Sequence, residues 1–322
     1  MNRIVIILIV VSMGILKGYS AINISSCQGI NDSILDSSRT VFVNESFTNV
    51  SIIGNCIEIT TNNLILDCNN NQIRGGNSGK GVYASGIDNI TIVNCNINNF
   101  SDDIYTTGFS SLINISNNSL GGVELVETTN SFIQNNVIGD LTLSLSATSG
   151  NLVENNVMDT FFLNGVSSSN ILNNNTIESF GSLSASNQYI VNNTITVAAL
   201  TFNSDNNIFY KNSIESVSLT EFSGNDPENN NFTENIFTNF SLITSSSWSL
   251  TPTIFNNNSY FEGTVPTPPC FDFPTNSICD SNYQNYTLDE LVLLNQASSS
   301  FSTYGFLSLF LMVFGISIFL RF

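Results

Sequence analysis

The chain has 322 residues, 42% of them hydrophobic, and sets 25 Asp and Glu against 7 Lys and Arg for a formal charge of −18. Nucleic acid binding is excluded, because neutralising a phosphate backbone takes clustered Lys and Arg. Histidine is absent, which removes the commonest general base and the commonest metal ligand together, so no metal or other cofactor is expected and any catalysis must rest on other groups.

Residues 1–20, MNRIVIILIVVSMGILKGYS, place Arg3 before an apolar run from Ile4 to Val11 and end on the small residues Gly18 and Ser20. That is the layout of a cleaved secretory signal; an uncleaved anchor helix would need a longer apolar run. Loss of Arg3 and Lys17 with it takes the charge from −18 to −20.

Residues 21–49 are expected to form an N-terminal cap. The chain holds six cysteines, Cys27, Cys56, Cys68, Cys95, Cys270 and Cys279. In an exported chain an even number reads as disulfides, with zinc binding the lesser alternative, and the sequence leaves the pairing open. Cys270 with Cys279 is the most local pair, and the four cysteines before residue 96 are expected to staple the N-terminal part.

From residue 50 to residue 262 a repeat runs through the chain. Taking the residue after each asparagine pair as position zero gives Ile73, Ile97, Leu120, Ile138, Met158, Ile177, Ile195, Ile214, Phe237 and Tyr260, spaced 24, 23, 18, 20, 19, 18, 19, 23 and 23 apart. Five residues earlier stand Ile92, Ile115, Ile133, Val153, Leu172, Ile190, Phe209, Phe232 and Phe255; three residues later stand Phe100, Val123, Leu141, Phe161, Phe180, Ala198, Val217 and Phe240. Such short pieces, rich in Ile, Val, Phe and Thr, suit strands rather than helices. A period near twenty implies a solenoid whose coils bury a shared apolar column.

The fold expected is therefore all-β, a parallel β-helix of about ten coils with three short strands in each. A leucine-rich repeat fits the period but not the freely varying apolar identities or the paired asparagines. A left-handed hexapeptide helix suits the 18-residue spacings but not those of 23.

The asparagine pair divides by its charged exceptions. Position minus two holds Asn118, Asn136, Asn156, Asn175, Asn193, Asn212, Asn235 and Asn258, whereas position minus three admits Lys211 and Glu234. An unpaired charge is costly in a dry interior. Minus two is accordingly read as an inward amide ladder and minus three as facing water. The outward asparagines Asn117, Asn174, Asn192 and Asn257 begin Asn-x-Ser/Thr sequons, as do Asn89 and Asn231, and are candidate glycosylation sites.

Two stretches carry a family likeness. CIEITTNNLILDCNNNQIRGG, residues 56–76, and GVYASGIDNITIVNCNINNFSDDIYTTG, residues 81–108, resemble the opening coils of secreted right-handed parallel β-helix proteins of the pectin-lyase-like, NosD-like kind. The resemblance covers residues 22–110 closely and the later coils by pattern, and it implies right-handed winding and a carbohydrate-related or surface role. The fold hosts lyases, hydrolases and proteins without chemistry, so it does not settle activity.

Asp102 and Asp103 resemble the paired acids of polygalacturonase-like hydrolases, but the His and Arg-x-Lys companions of that family have no match here. Arg74 and Lys80 flank the turn GGNSG, which lacks the Gly and Ser/Thr of a phosphate loop. NDPENN, residues 225–230, resembles an epimerase element without its histidine. In GVYASG and DIYTTG, strand parity turns Val82, Ala84, Ile104 and Thr106 inward and Tyr83 and Tyr105 outward on adjacent coils. With Asp103 they form a candidate sugar-binding surface.

Residues 263–280 are Pro-rich and hold the last cysteine pair, a candidate C-terminal cap over an open sheet edge. Residues 281–303 read as a tether, and 304–322 as a hydrophobic anchor, either a glycolipid (GPI) signal or one transmembrane helix. The partners expected are the membrane through that segment, and carbohydrate or other surface proteins. The expected function is a surface module without catalysis, with a polysaccharide hydrolase or lyase using Asp102 and Asp103 as the alternative.

Overall fold

The short β-branched and aromatic runs are strands in the computed structural model, and no helix occurs among the described residues. The structure describes residues 22–31, 39–48, 54–144, 148–165, 167–201, 204–220, 229–238, 242–243, 254–256, 258–261 and 285–286. The signal, the Cys270–Cys279 pair, the tether, the anchor, Asn257 and most of NDPENN lie outside them. The chain divides into two units, residues 1–170 and 171–322.

The first unit is a parallel β-solenoid. One ladder joins Ile22–Ile24, Thr40–Val43, Leu64–Asp67, Asp88–Val93, Ser111–Ser116, Phe132–Gln134 and Leu152–Glu154. Another joins Gln28–Ile30, Asn55–Ile59, Lys80–Ser85, Asp102–Thr107, Ser119–Val126, Val137–Ser144 and Val157–Asn164. The second unit repeats the scheme, with Ile171–Asn173, Tyr189–Val191, Ile208–Tyr210, Asn231–Thr233 and Ile254–Asn256 in one ladder and Thr176–Leu183, Thr194–Thr201 and Ser213–Thr220 in the other.

Three strands per coil hold for the early coils and return late in the second unit, where Ile236–Phe237 and Leu242–Ile243 both pair with Ser213–Thr220; the coils between carry two. Asn96–Asn98 and Asp102–Thr107 are separate strands, yet both pair with the single strand Ser119–Val126. Ile97 faces Leu120 and Ile104 faces Val123, so seven residues of one coil match three of the next. The coils of 18 to 20 residues drop the turn around Asn99–Ser101, and two short strands fuse into one of eight residues. The same deletion explains Phe100, half-buried in that turn, where Ile104 takes the inward place expected for it.

Apolar columns fill the interior. Positions zero and minus five are buried from Ile73 to Met158 in the first unit and from Leu172 to Phe237 in the second. There Phe209 and Phe232 stack at 4.5 Å between centroids, and Phe180 meets Phe209 edge-on at 5.8 Å. Offset-stacked and edge-to-face pairs are the arrangements that ring quadrupoles favour.

The amide column is inward as expected. Asn118, Asn136 and Asn156 in the first unit and Asn175, Asn193, Asn212, Asn235 and Asn258 in the second are all at most 4% exposed. Each rung makes a clasp. In the Asn118–Asn136 rung, Asn136 Oδ1 accepts both the backbone N–H and the side-chain N–H of Asn118, at 2.9 and 3.0 Å. Asn136 Nδ2 in turn donates to the carbonyl of Ile115. The same pattern runs from Asn193 to Asn212, Asn235 and Asn258.

Left-handed backbone, however, belongs to the neighbouring column. Asn117, Asn135, Asn155, Asn174, Asn192, Lys211 and Glu234 have φ between 54 and 58°. Asparagine tolerates that region better than most residues, so the pair combines a turn-former with a clasp-former.

A second buried polar ladder, which the doubled asparagines do not mark, runs through each unit. Seven residues before position zero, Ser131, Asn151 and Asn170 in the first unit and Gln188, Asn207 and Asn230 in the second are buried. Ser131 N–H donates to Asn151 Oδ1, Asn151 N–H to Asn170 Oδ1, Gln188 N–H to Asn207 Oδ1 and Asn207 N–H to Asn230 Oδ1. The residues before them, Asn130, Gly150, Ser169, Asn187, Asn206 and Asn229, again have positive φ. Its signal was the dipeptides NS, GN, SN, NQ, NN and NN at those places.

Candidate functional site

The four described cysteines form two disulfides, Cys27–Cys56 and Cys68–Cys95. Both staple the N-terminal coils, and Cys95 occupies the corner position that asparagine takes in later coils. Among the described residues no group of three or more His, Cys, Asp and Glu is placed to hold a metal ion.

The outward column on the second ladder of the first unit reads Glu58, Tyr83, Tyr105, Glu124, Thr142 and Phe162, in register coil by coil. The rings of Tyr83 and Tyr105 lie 6.0 Å apart and within 6° of parallel. Lys80 Nζ stands 4.2 Å from the centre of the Tyr105 ring and pairs with Asp102 Oδ2. Ser101 Oγ also donates to that carboxylate, at 3.2 Å. Burial pushes the Tyr105 hydroxyl above its ordinary pKa; Glu124 adds to the rise and Lys80 opposes it.

Asp103 shares strand parity with Tyr105 but is 1% exposed. It stands where the wide coil meets the narrow one, and the missing turn there would leave the amides of the next coil without partners. Its carboxylate accepts the N–H groups of Gly121 and Gly122 and, at 3.4 Å, that of Phe100. A Cβ on Gly121 would lie 3.1 Å from Asp103 Oδ2, so the close approach uses the missing side chain. Burial pushes the Asp103 carboxyl from 3.8 up to about 6, against the opposing pull of the three backbone donors, Gly121 first.

The step between the coils opens a cleft of about 490 Å³ whose lining includes Asn77, Asn99, Asp102, Asp103, Glu124 and Asp140. Its polar, carboxylate-rich wall favours neutral, hydroxyl-bearing ligands over anionic ones. Tyr83 and Tyr105 come together on adjacent coils, but the carboxylate that reaches them, through Lys80, is Asp102 and not the Asp103 that the sequence suggests. Asp103 is instead committed to the backbone, and the two neighbouring carboxyls engage different partners.

Of the sequon asparagines, Asn89, Asn117 and Asn174 are exposed, and Asn192 and Asn231 are half-buried. Compared with family models, with curated proteins and with solved structures, the chain matches none.

Proposed function

We propose that this chain is an exported, N-glycosylated protein of the right-handed, pectin-lyase-like or NosD-like β-helix kind. Held at a cell surface by its C-terminal segment, it acts as a spacer and carbohydrate-binding face without turnover. The observation that carries the reading is the parallel Tyr83–Tyr105 pair beside a polar cleft, because a sugar offers CH-rich faces to an aromatic ring and hydroxyls to amides and carboxylates. Right-handed winding is the hand that parallel crossovers take almost without exception. Two disulfides accord with an oxidising compartment.

A glycan array probed with the secreted protein tests the binding. Retention of neutral glycans that Tyr105→Ala abolishes supports it; retention unchanged by Tyr105→Ala removes the tyrosine pair from the account. Mass spectrometry of the mature C-terminus distinguishes a lipid anchor from a membrane helix.

One observation favours the alternative, a polysaccharide hydrolase or lyase. Asp103, held near 6 in a cleft with Asp102, has the raised pKa of a general acid. Product release from a polysaccharide panel that is lost in Asp103→Asn would establish it.

A further inference from the structure

The short-strand face of the second unit carries an apolar outward patch between Asn173 and Asn231. Ile171 and Tyr189 are each 43% exposed and stand in register with half-buried Ile208; beside them Val191 is in register with Tyr210. Charged residues are absent from these five positions. Lys211 bounds the patch, its Nζ 4.9 Å from the centre of the Tyr210 ring.

Immediately after Val191 comes Asn192, which begins the sequon Asn192-Asn193-Thr194. With φ at 56° it turns the chain out of the strand at the corner. Its Nδ2 donates to Asn173 Oδ1 at 3.3 Å. A sugar on Nδ2 leaves one N–H to keep that bond, so the amide plane stays fixed by the neighbouring coil. Strand residues alternate in direction, which puts Val191 and Tyr189 on the outward side at one and three residues back, roughly 3 and 10 Å from the attachment corner. That span suits the two-sugar core of an N-glycan laid along the strand.

We propose that the N-glycan on Asn192 folds back along its own strand and covers Val191 and Tyr189, so that the glycan is the partner of this apolar face. The proposal rests on the glycosylation reading above. It does not extend to Asn174, whose strand presents polar Asn173 where Val191 stands.

The test uses the full chain secreted from a eukaryotic host, with glycopeptide mapping of Asn192 and thermal unfolding of four proteins: wild type, Tyr189→Ser, Thr194→Val, which removes the sequon and keeps a β-branched residue, and the double variant. Each single change is expected to lower Tm by about 1–2 °C, as loss of roughly 1 kcal/mol does in a chain of this size. The double variant is expected to fall no further than either single one. Occupancy at Asn192 with additive losses, or with no loss in Thr194→Val, overturns the inference and leaves glycosylation standing. An unmodified Asn192 overturns both at this residue. A dimer seen in light scattering of wild type and lost in Tyr189→Ser would give the face to a second copy instead.

Discussion

At the corner two residues before the central aliphatic column, Cys95 is joined to Cys68, whereas in later coils Asn118, Asn136 and Asn156 clasp one another there through amide hydrogen bonds. The two devices act on different states. A disulfide stabilises chiefly by restricting the unfolded chain, and it ties one coil to one other. An amide clasp acts in the folded state and passes its free donor and acceptor onward, so it extends for as many coils as the repeat supplies. Asn118 Oδ1 accepts the Cys95 N–H at 2.8 Å, which makes the first clasp and the last staple neighbours.

The comparison breaks most severely within the ladder. Asn193→Ala removes the acceptor shared by the backbone and side-chain N–H groups of Asn175 and the donor to the Leu172 carbonyl. Loss of these three buried hydrogen bonds, at about 1–1.5 kcal/mol each, predicts a loss of about 4 kcal/mol in denaturant unfolding. Removing the staple with Cys68→Ala and Cys95→Ala frees a loop of 27 residues and is expected to cost about 3.5 kcal/mol by loop entropy. If the corner accepts either chemistry, Cys68→Ala with Cys95→Asn recovers part of that loss; recovery of none would show the early corner to be shaped for sulfur.

Asp103 marks the boundary between the two coil types, and its test is a pH profile. Held at about 6 when folded against 3.8 when free, the group binds its proton more tightly in the native state. Stability therefore falls as pH rises from about 3.8 to about 6, and burying the ionised group costs about 3 kcal/mol at neutral pH. The stability difference between wild type and Asp103→Asn should open across that window and be flat above pH 7. A constant difference would show that the carboxyl does not titrate there. The smallest effect is expected at Glu234, whose φ is 54°. Glu234→Asn relieves left-handed strain and should add about 0.5 kcal/mol; its salt bridge to Lys211, at 3.6 Å and largely exposed, offsets little.

The fold was legible because its determinants recur. Ile, Phe and Asn return at fixed offsets, and the charged Lys211 and Glu234 reveal which of two asparagines faces water. Serine and glycine dilute the second ladder and Gln188 replaces asparagine within it, so doubled asparagines do not mark it. The strand fusion at Ser119–Val126 needed the register itself, because a missing turn leaves no residue type behind. The burial of Asp103 was hidden for the opposite reason: a carboxylate next to tyrosines looks like a surface group until the coil that covers it is placed, and the glycines that reach it, Gly121 and Gly122, are 18 and 19 residues away in sequence, roughly one coil.

Clasp and staple alike close corners and leave the outward column of Tyr83 and Tyr105 free for a ligand. The claim that this surface binds and does not cleave is tested most directly by incubating the secreted protein with a panel of neutral polysaccharides and measuring retention and new reducing ends or unsaturated products together. The account predicts retention, lost in Tyr105→Ala, with no products. Products that form with the wild type and vanish in Asp103→Asn or Asp102→Asn would contradict it.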